Sequence, residues 1–436
     1  MTGADILLKT AVAAGVEICF ANAGTTELPF VAAMDNMTGI RPVLGLFEGV
    51  CTGAADGYGR MLEKPAMNLL HLGPGLANGI ANLHNARRAR TPILNVVGQH
   101  ASWHVAADAP LTMDIEALAG TVSGWQQTIR SPGDIATDTT DALIAARYGQ
   151  IATLIAPCDH LWEAAPDRII HFPPHEPDAV DPGLIEKGIR LLQNGGKTAV
   201  IIGGRALRHR GLKAAALLKA AFGCDLLSVT FPAYVERGAG LTPLARIPYF
   251  PQMAVAMLAP YDAVVLVGTD DPVAFFGYKG GKSGFLGENQ QRVRIDTNHQ
   301  DGAAVLEALA DAAEVKAVPD SSASTVFAPL NIPDLPSGAL DADKMCRTIA
   351  ALQPENAVIV EEGIMSGFTY HSLSANLHPH SVLFLPSRAA PSARECPAPW
   401  VQPLPAPIGP SSTSRQTEAP CIRSRFSGLR PRRGQT

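Results

Sequence analysis

Short apolar runs alternate with amphipathic segments along the first 170 residues. Gly, Pro or polar residues bound each apolar run, as is typical of buried strands. The predicted strands cover residues 17–21, 43–47, 66–71, 93–97 and 151–156, and the predicted helices cover residues 5–14, 28–34, 49–61, 78–89 and 142–147. This alternation predicts a parallel sheet with helices on both faces.

The same alternation returns twice, each time after a segment rich in proline that we interpret as a linker. The linkers are residues 171–181 and 318–339. Helices are predicted at residues 184–192, 213–222, 341–352 and 366–377, and strands at residues 198–202, 262–267, 291–295, 357–360 and 382–385. The predicted fold class is therefore α/β, with domains at residues 1–170, 182–317 and 340–385.

The pattern ends abruptly at residue 386. Residues 386–436 contain ten prolines, eight arginines, two acidic residues and no lysine. We find neither helical nor strand periodicity there. The apolar surface that such a segment can bury is too small to offset the entropy lost on ordering the chain. We expect this tail to be aberrant and disordered.

Composition excludes several classes of protein. The chain has 436 residues, of which 47% are hydrophobic, and a net charge of −5, which gives no reason to expect nucleic acid binding. Asp5 and Lys9 interrupt the first apolar stretch, and no run approaches the ~18 residues of a membrane span. The seven cysteines form no CxxC motif. We therefore expect a soluble, cytoplasmic protein.

Polar and glycine-rich segments follow three of the predicted strands. They are NAGTTELPF at residues 22–30, Glu48 at the start of a helix, and HLGPGLAN at residues 71–78. Open α/β sheets bind ligands at the edge where the carboxyl ends of their strands meet. Gly73 and Gly75 would let the backbone approach a ligand closely. We predict a binding site at this edge, although Glu48 alone also fits a carboxylate stabilised by the helix dipole.

These segments resemble the pyrimidine-binding domain of thiamine-diphosphate-dependent enzymes that act on 2-oxo acids. That group includes acetolactate synthase, benzoylformate decarboxylase, pyruvate oxidase and pyruvate decarboxylase. Its motifs are a G-x-x-E-x-P turn, a Glu that opens a helix containing A-D-G-Y-x-R, a GPGxxN turn and a strand ending in G-Q. The chain has all four in that order, and the resemblance continues through VVLVGTDDP to about residue 385. It implies three domains of parallel sheets flanked by helices.

The resemblance assigns roles to the first group of residues. It implies that Glu48 hydrogen-bonds the aminopyrimidine ring of thiamine diphosphate and promotes the tautomer that removes the thiazolium C2 proton. The cofactor then acts as an electron sink when a 2-oxo acid loses carbon dioxide. Gly24, Pro74 and Asn78 match positions that line the pyrimidine or hold its turn.

Three further residues are catalytic candidates through the resemblance. His71 matches an active-site histidine of benzoylformate decarboxylase, and Thr25 matches a serine of that enzyme that contacts substrate. Gln99 matches a glutamine near the reacting carbon. His71 alone also fits a hydrogen-bonded histidine at a strand end. His71 favours proton transfer and the overall pattern favours acetolactate synthase, so the choice between decarboxylase and synthase stays open.

Other cofactors receive little support. His100 and His104 have the i, i+4 spacing of a metal pair, but no third ligand is in view, so a solvated loop is the better interpretation. No metal ligands are therefore predicted. Gly203–Gly204 lacks the GxGxxG pattern, which argues against a nicotinamide dehydrogenase. Some family members bind FAD in the central domain, which corresponds to residues 182–317 here. We see no FAD-specific feature there and do not expect FAD.

The resemblance stops where the family binds Mg²⁺. The family anchors the cofactor's diphosphate through Mg²⁺ held by a GDG-[SA] motif and a later Asn, and neither is found in this chain. If residues 415–422 are read from the third base of each codon, the genetic code permits Ala-Asp-Gly-Ser-Ala-Met-Tyr. A frameshift near residue 386 is therefore our hypothesis. We expect an incomplete third domain and weak cofactor binding.

The function predicted from the sequence is thiamine-diphosphate-dependent decarboxylation or carboligation of a small 2-oxo acid, impaired in this chain. The alternative is a binding or regulatory protein that kept the fold without catalysis. Family members pair their subunits, so the resemblance implies a homodimer or homotetramer. We expect no nucleic acid or membrane partner. The sequence does not identify the substrate.

Overall fold

The computed structural model describes residues 1–168, 170, 172, 176–193, 196–363 and 366–384, together with the backbone of residues 421–424. Of these, the residues up to 176 form one compact unit and those from 177 onward form another. The predicted disordered tail, residues 386–436, lies outside the described residues apart from that short segment.

The first unit is built on one parallel sheet of six strands. The strands are β1 (Ile18–Asn22), β2 (Arg41–Leu44), β3 (Ala66–Leu70), β4 (Ile93–Gln99), β5 (Trp125–Thr128) and β6 (Ile151–Pro157). Their order is β2-β1-β3-β4-β6-β5. The helices are α1 (Gly3–Ala13), α2 (Leu28–Asp35), α3 (Glu48–Leu62), α4 (Leu72–Ala89), α5 (Ile115–Gly120), α6 (Ile135–Arg147) and α7 (Cys158–Trp162).

Both faces of this sheet are covered. Helices α1, α2 and α6 pack on one face, and α3, α4 and α5 pack on the other. Every residue of β3 and β6 is buried. These strands consist almost entirely of apolar residues, as expected for central strands of a doubly wound sheet. The edge strand β2 is largely exposed and contains Pro42, which an edge tolerates.

The second unit contains a parallel sheet of five strands and a smaller sheet. The strands are β7 (Thr198–Ile202), β8 (Asp225–Ser228), β9 (Val235–Arg237), β10 (Ala245–Arg246), β11 (Ala263–Val267), β12 (Gln291–Arg294), β13 (Val358–Glu361), β14 (His380–Phe384) and β15 (Cys421–Ser424). The helices are α8 (Pro182–Gln193), α9 (His209–Phe222), α10 (Pro251–Leu258), α11 (Gly302–Ala312), α12 (Asp320–Val326), α13 (Ala342–Leu352) and α14 (Phe368–Ser374). The larger sheet has the order β10-β8-β7-β11-β12.

The smaller sheet joins distant parts of the chain in the order β15-β13-β14-β9. Strand β9 lies within residues 182–317 and pairs antiparallel with β14, with Val235 opposite Val382. Strand β15 pairs parallel with β13. The sequence of the tail predicts no strand at β15, because the two apolar residues and two polar residues of Cys421–Ser424 do not alternate.

The α/β fold class is confirmed, since parallel sheets flanked by helices form both units. The local differences are shifted ends of predicted elements and elements that the pattern did not predict, among them β5, β8 and α11. Strand β2 stops at Leu44 rather than residue 47, and Leu46 is 91% exposed. Helix α4 begins at Leu72 rather than residue 78, so the GPG segment forms its first turn, where proline costs no hydrogen bond. Helix α12 lies in the segment predicted as a linker. The exact domain boundaries stay predictions.

Candidate active site

Glu48 opens helix α3 directly after the sheet edge, with Phe47 in the extended conformation at the N-cap. The side chain is only 8% exposed. Asn78 Nδ2 donates a hydrogen bond to Glu48 Oε2 at 3.0 Å. No described residue donates to the other oxygen, Oε1. Glu48 is therefore a helix-start carboxylate and, at the same time, a buried acid with one oxygen available to a ligand.

Glycines let the start of α4 lie against Glu48 and let the turn after β1 lie against His71. A methyl carbon placed on Gly75 would lie 3.1 Å from Glu48 Oε1 and 3.4 Å from the Cβ of His71. One placed on Gly24 would lie 2.3 Å from His71 Nδ1. Leu72, which follows His71, has a positive φ of 52°, which is uncommon for a bulky residue. The turns after β1 and β3 therefore meet without room for larger side chains.

Glu27 is the residue that holds His71. Its carboxylate is fully buried. The Oε2 atom accepts the backbone N–H of Gly24 at 2.7 Å and lies 2.7 Å from His71 Nδ1, while Oε1 accepts the hydroxyl of Thr26 at 2.6 Å. Because a carboxylate oxygen only accepts, Nδ1 of His71 carries a proton. The Nε2 atom lies on the side of the ring away from this contact, and the His71 side chain is 25% exposed.

Strand β4 makes space for Glu27. A methyl carbon on Gly98, near the end of β4, would lie 1.6 Å from Glu27 Oε1. No side chain fits at Gly98 while the carboxylate occupies this position. The G of the G-Q strand ending is thus explained by the approach of Glu27.

The structure brings some of the predicted residues together and leaves others apart. Glu48 and Asn78 form one hydrogen-bonded pair, and His71 packs against Gly24 in a second group. Pro74 is exposed in the first turn of α4.

The predicted residues Thr25 and Gln99 occupy less central positions. The Thr25 side chain is exposed, and its neighbour Thr26 instead lies 3.4 Å from His71 Nδ1. Gln99 ends β4, and its Oε1 accepts the backbone N–H of His100 at 2.8 Å. The amide nitrogen of Gln99 therefore remains the group that this side chain can offer to a ligand.

Sequence reasoning missed Glu27 and Thr26. The signal was present, because Glu27 is the acidic residue of the G-x-x-E-x-P turn. What the sequence did not show is that this carboxylate turns inward and meets a histidine 44 positions away. A buried acid in a turn near a strand end is a fair signal for a site residue.

Comparisons with known proteins place this geometry in a family. Residues 1–119 match the family described as "Thiamine pyrophosphate enzyme, N-terminal TPP binding domain". A Mycobacterium tuberculosis protein named provisionally as an acetolactate synthase large subunit, IlvX, is 42% identical over 387 residues, which cover 88% of this chain and 73% of that protein. The chain belongs to the thiamine-diphosphate-dependent enzyme family. Family membership agrees with the glycine-lined carboxylate at the sheet edge.

More distant family members match shorter stretches or the fold. Benzoylformate decarboxylase of Pseudomonas aeruginosa is 29% identical over 161 residues, 36% of this chain and 30% of that enzyme. The structure of a thiamine-diphosphate-dependent 4-hydroxybenzoylformate decarboxylase from Rhodococcus jostii RHA1 superposes with a TM-score of 0.74 at 19% identity, covering 88% of this chain and 75% of that one. The fold of the family therefore extends through both units.

The donor set suits one end of the family's cofactor. Glu48 Oε1 is an unused acceptor on a buried carboxylate, which suits the amino-substituted pyrimidine ring, and Gly75 beside it has no side chain to cover it. The diphosphate end is different. Within the described residues there is no group of three or more His, Cys, Asp or Glu side chains able to hold a metal.

No described helix is long and apolar enough to cross a membrane.

Proposed function

We propose that this protein is a thiamine-diphosphate-dependent enzyme that decarboxylates a small 2-oxo acid or joins the decarboxylated fragment to a second carbonyl compound. The observation that carries the proposal is the buried Glu48 carboxylate, with one oxygen held by Asn78 and the other open beside Gly75. Bound thiamine diphosphate supplies the carbon nucleophile and the electron sink for this chemistry.

The protein's own residues would divide the work between two carboxylates. Glu48 Oε1 would hold the pyrimidine end of the cofactor and could exchange a proton with it, while Asn78 fixes the orientation of the Glu48 carboxylate. Glu27 orients His71, whose Nε2 is then available to hold or release a proton near the substrate. This second pair supports proton transfer, and therefore decarboxylation, as the outcome. The kinship with acetolactate synthases supports carboligation, so both outcomes are retained.

The test is substitution of Glu48 by Gln, which keeps the size of the side chain and removes the exchangeable carboxylate proton. We expect carbon dioxide release from 2-oxo acids, with saturating thiamine diphosphate and Mg²⁺, to fall about 100-fold or more. Glu63, exposed at the other end of α3, provides the control as Glu63→Gln. Undiminished release by Glu48→Gln would contradict the role proposed for Glu48. Release by neither protein with cofactor bound would instead favour the non-catalytic alternative.

Cofactor affinity is a separate prediction about the chain as written. Because the sequence contains no Gly-Asp-Gly motif, we propose that Mg²⁺ does not anchor the diphosphate tightly. Isothermal titration calorimetry of the 436-residue chain should show weak thiamine diphosphate binding that Mg²⁺ hardly improves. Tight, magnesium-dependent binding would contradict this proposal, and the gene's nucleotide sequence through codon 386 would test the frameshift.

We also propose that the protein acts as a homodimer or homotetramer in the cytoplasm and does not use FAD. The five cysteines within the described residues are all buried and none of them forms a disulfide there, which is consistent with a reducing compartment. Analytical ultracentrifugation of the purified chain tests the oligomeric state. The absorbance spectrum of the same sample would reveal bound flavin.

A further inference from the structure

Arg246 is a buried arginine at which the ends of several strands of the second unit meet. It is the last residue of β10. Its guanidinium carbon lies 5.3 Å from the ring centre of Phe384, the last residue of β14, and 5.6 Å from that of Phe368, at the start of α14. Its Nη1 atom lies 3.9 Å from Oε1 of Glu361, the last residue of β13. Strands from both sheets of this unit therefore deliver residues to one guanidinium group.

Arg246 and Glu361 are buried beside each other without satisfying each other. Their side chains are only 7% and 4% exposed. The 3.9 Å between Nη1 and Oε1 is too long for a hydrogen bond. Among the described residues, neither this nitrogen nor either Glu361 oxygen has a hydrogen-bond partner. Polar atoms buried without partners are costly and uncommon in native proteins, so these three atoms are available to a ligand.

The charges in this cluster do not balance. Arg237, at the end of β9, is also buried, and it donates to the Ser374 hydroxyl at 2.7 Å and to the backbone carbonyl of His371 at 3.3 Å. Both acceptors are neutral. Burial raises the pKa of Glu361 to about 7, although Arg246 and Arg237 oppose this shift. Within the described part of the cluster, two arginines thus share one weakly ionised carboxyl group, and the excess positive charge favours an anion.

A row of aromatic rings leads from Arg246 towards the surface. Phe384 is buried, and its ring centre lies 6.5 Å from that of Phe231, which follows β8. The Phe231 ring meets Phe275 edge to face at 5.1 Å and Tyr249 at 5.8 Å. Phe275 is 47% exposed, so the row reaches solvent. We call these four residues the aromatic row, and flat apolar rings of this kind suit the ring of an aromatic ligand.

We propose that Arg246, Glu361 and the aromatic row form a binding site for a small aromatic carboxylate. One ligand oxygen accepts a hydrogen bond from Arg246 Nη1, the other accepts one from the protonated Glu361 carboxyl group, and the ligand's ring packs on the aromatic row. The bound carboxylate supplies the negative charge that the two arginines lack. The inference goes beyond the proposed function, because this site lies within the second unit and requires neither cofactor nor turnover.

Isothermal titration calorimetry of the full chain at pH 7, without cofactor, tests the site with benzoate as the probe. Acetate carries only the carboxylate, and benzamide carries only the ring with an uncharged amide. We expect benzoate to bind about tenfold more tightly than either compound, because only benzoate uses both the charged hydrogen bonds and the aromatic row. This comparison uses the native chain, so it does not depend on the folding of any variant.

Arg246→Gln should weaken benzoate binding about tenfold or more, because it removes the charge from the hydrogen-bond donor. The matched control is Arg190→Gln, which removes an exposed arginine of α8 whose partner Glu186 lies one helical turn away. This control should bind benzoate as the native chain does, and so should His71→Asn, which alters the first unit. Circular dichroism shows whether each variant is folded.

Equal affinity for benzoate and acetate, or for benzoate and benzamide, would overturn the proposal. No detectable binding of benzoate at about 10 mM would also overturn it. A loss of affinity in His71→Asn but not in Arg246→Gln would place benzoate at the first unit's site instead. These outcomes are distinguishable from failure of the proposed function, because Glu48→Gln is tested by carbon dioxide release with cofactor bound.

Discussion

At the scale of single residues, the arrangement depends on the hydrogen atom that Gly98 has in place of a side chain. The Glu27 carboxylate occupies the volume that a methyl group at Gly98 would need. Glu27 also satisfies the Gly24 N–H, the Thr26 hydroxyl and His71 Nδ1, so displacing it would leave three donors without their acceptor. Strain at this one position would therefore spread to the histidine.

We predict that Gly98→Ala destabilises the protein by ~1–3 kcal/mol and disturbs the contact between Glu27 and His71. Urea denaturation measures the first effect and the His71 NMR shifts measure the second. Gly133→Ala is the control, since a methyl group there would meet only Ser131 Oγ at an ordinary 3.5 Å. Equal stability of the two variants would show that Glu27 moves aside without cost.

At the scale of elements, helix α3 is fixed by a buried ion pair on the motif A-D-G-Y-x-R. Arg60 donates to Asp56 through Nε at 2.8 Å and Nη2 at 2.6 Å, and both side chains are almost fully buried. Thr91, just before β4, adds a hydrogen bond to Asp56 at 2.6 Å. The far end of the helix that begins with Glu48 is thus tied to the neighbouring strand.

Removal of one partner from the Asp56–Arg60 pair should strongly destabilise the fold, because the other charge stays buried. We predict that Asp56→Ala lowers the free energy of unfolding by about 3–5 kcal/mol. The chain contains a matched control in Asp343 and Arg347, which have the same i, i+4 spacing on the exposed face of α13. Asp343→Ala should leave the urea midpoint unchanged, and a similar loss in both variants would contradict the argument from burial.

At the scale of the whole molecule, the second unit contains a buried cluster of charges that the catalytic proposal does not use. Arg246 Nη1 lies 3.9 Å from Glu361 Oε1, and neither that nitrogen nor either Glu361 oxygen has a hydrogen-bond partner. Burial raises the pKa of Glu361 to about 7, outweighing the attraction of Arg246 and Arg237. Folding therefore favours the protonated form of this carboxyl group.

This cluster makes stability depend on pH in a predictable direction. Unfolded Glu361 would lose its proton near pH 4.5 and folded Glu361 near pH 7. The stabilising contribution is complete below pH 4.5 and is lost as the pH rises through 7, a difference on the order of 3 kcal/mol. Urea midpoints at pH 5 and pH 8 should show this loss for the native chain and not for Glu361→Gln.

The matched control for this pH dependence is Glu288→Gln, which removes an exposed carboxylate of the same unit. It should lose stability between pH 5 and pH 8 as the native chain does. If Glu361→Gln also loses it to the same extent, then other groups, and not Glu361, govern the pH dependence.

The buried parallel strands were the easiest elements to predict. The prediction for β7 matches its observed bounds, and that for β3 differs by one residue, because both strands are apolar runs covered on two faces. Elements without such a run were missed, among them the short strands β9 and β10 and helix α5. Their positions depend on partners elsewhere in the chain, as when β9 pairs with β14.

The sequence by itself determined the family, the parallel α/β fold and the placement of Glu48 at the start of a helix after a strand, because strand periodicity and motif order are local properties of the chain. Only the tertiary structure decided which side chains meet there. Thr26, and not Thr25, lies beside His71, and Glu27 contacts His71. The inward turn of one carboxylate depends on the space left at Gly98 two strands away in the sheet, which no local pattern records.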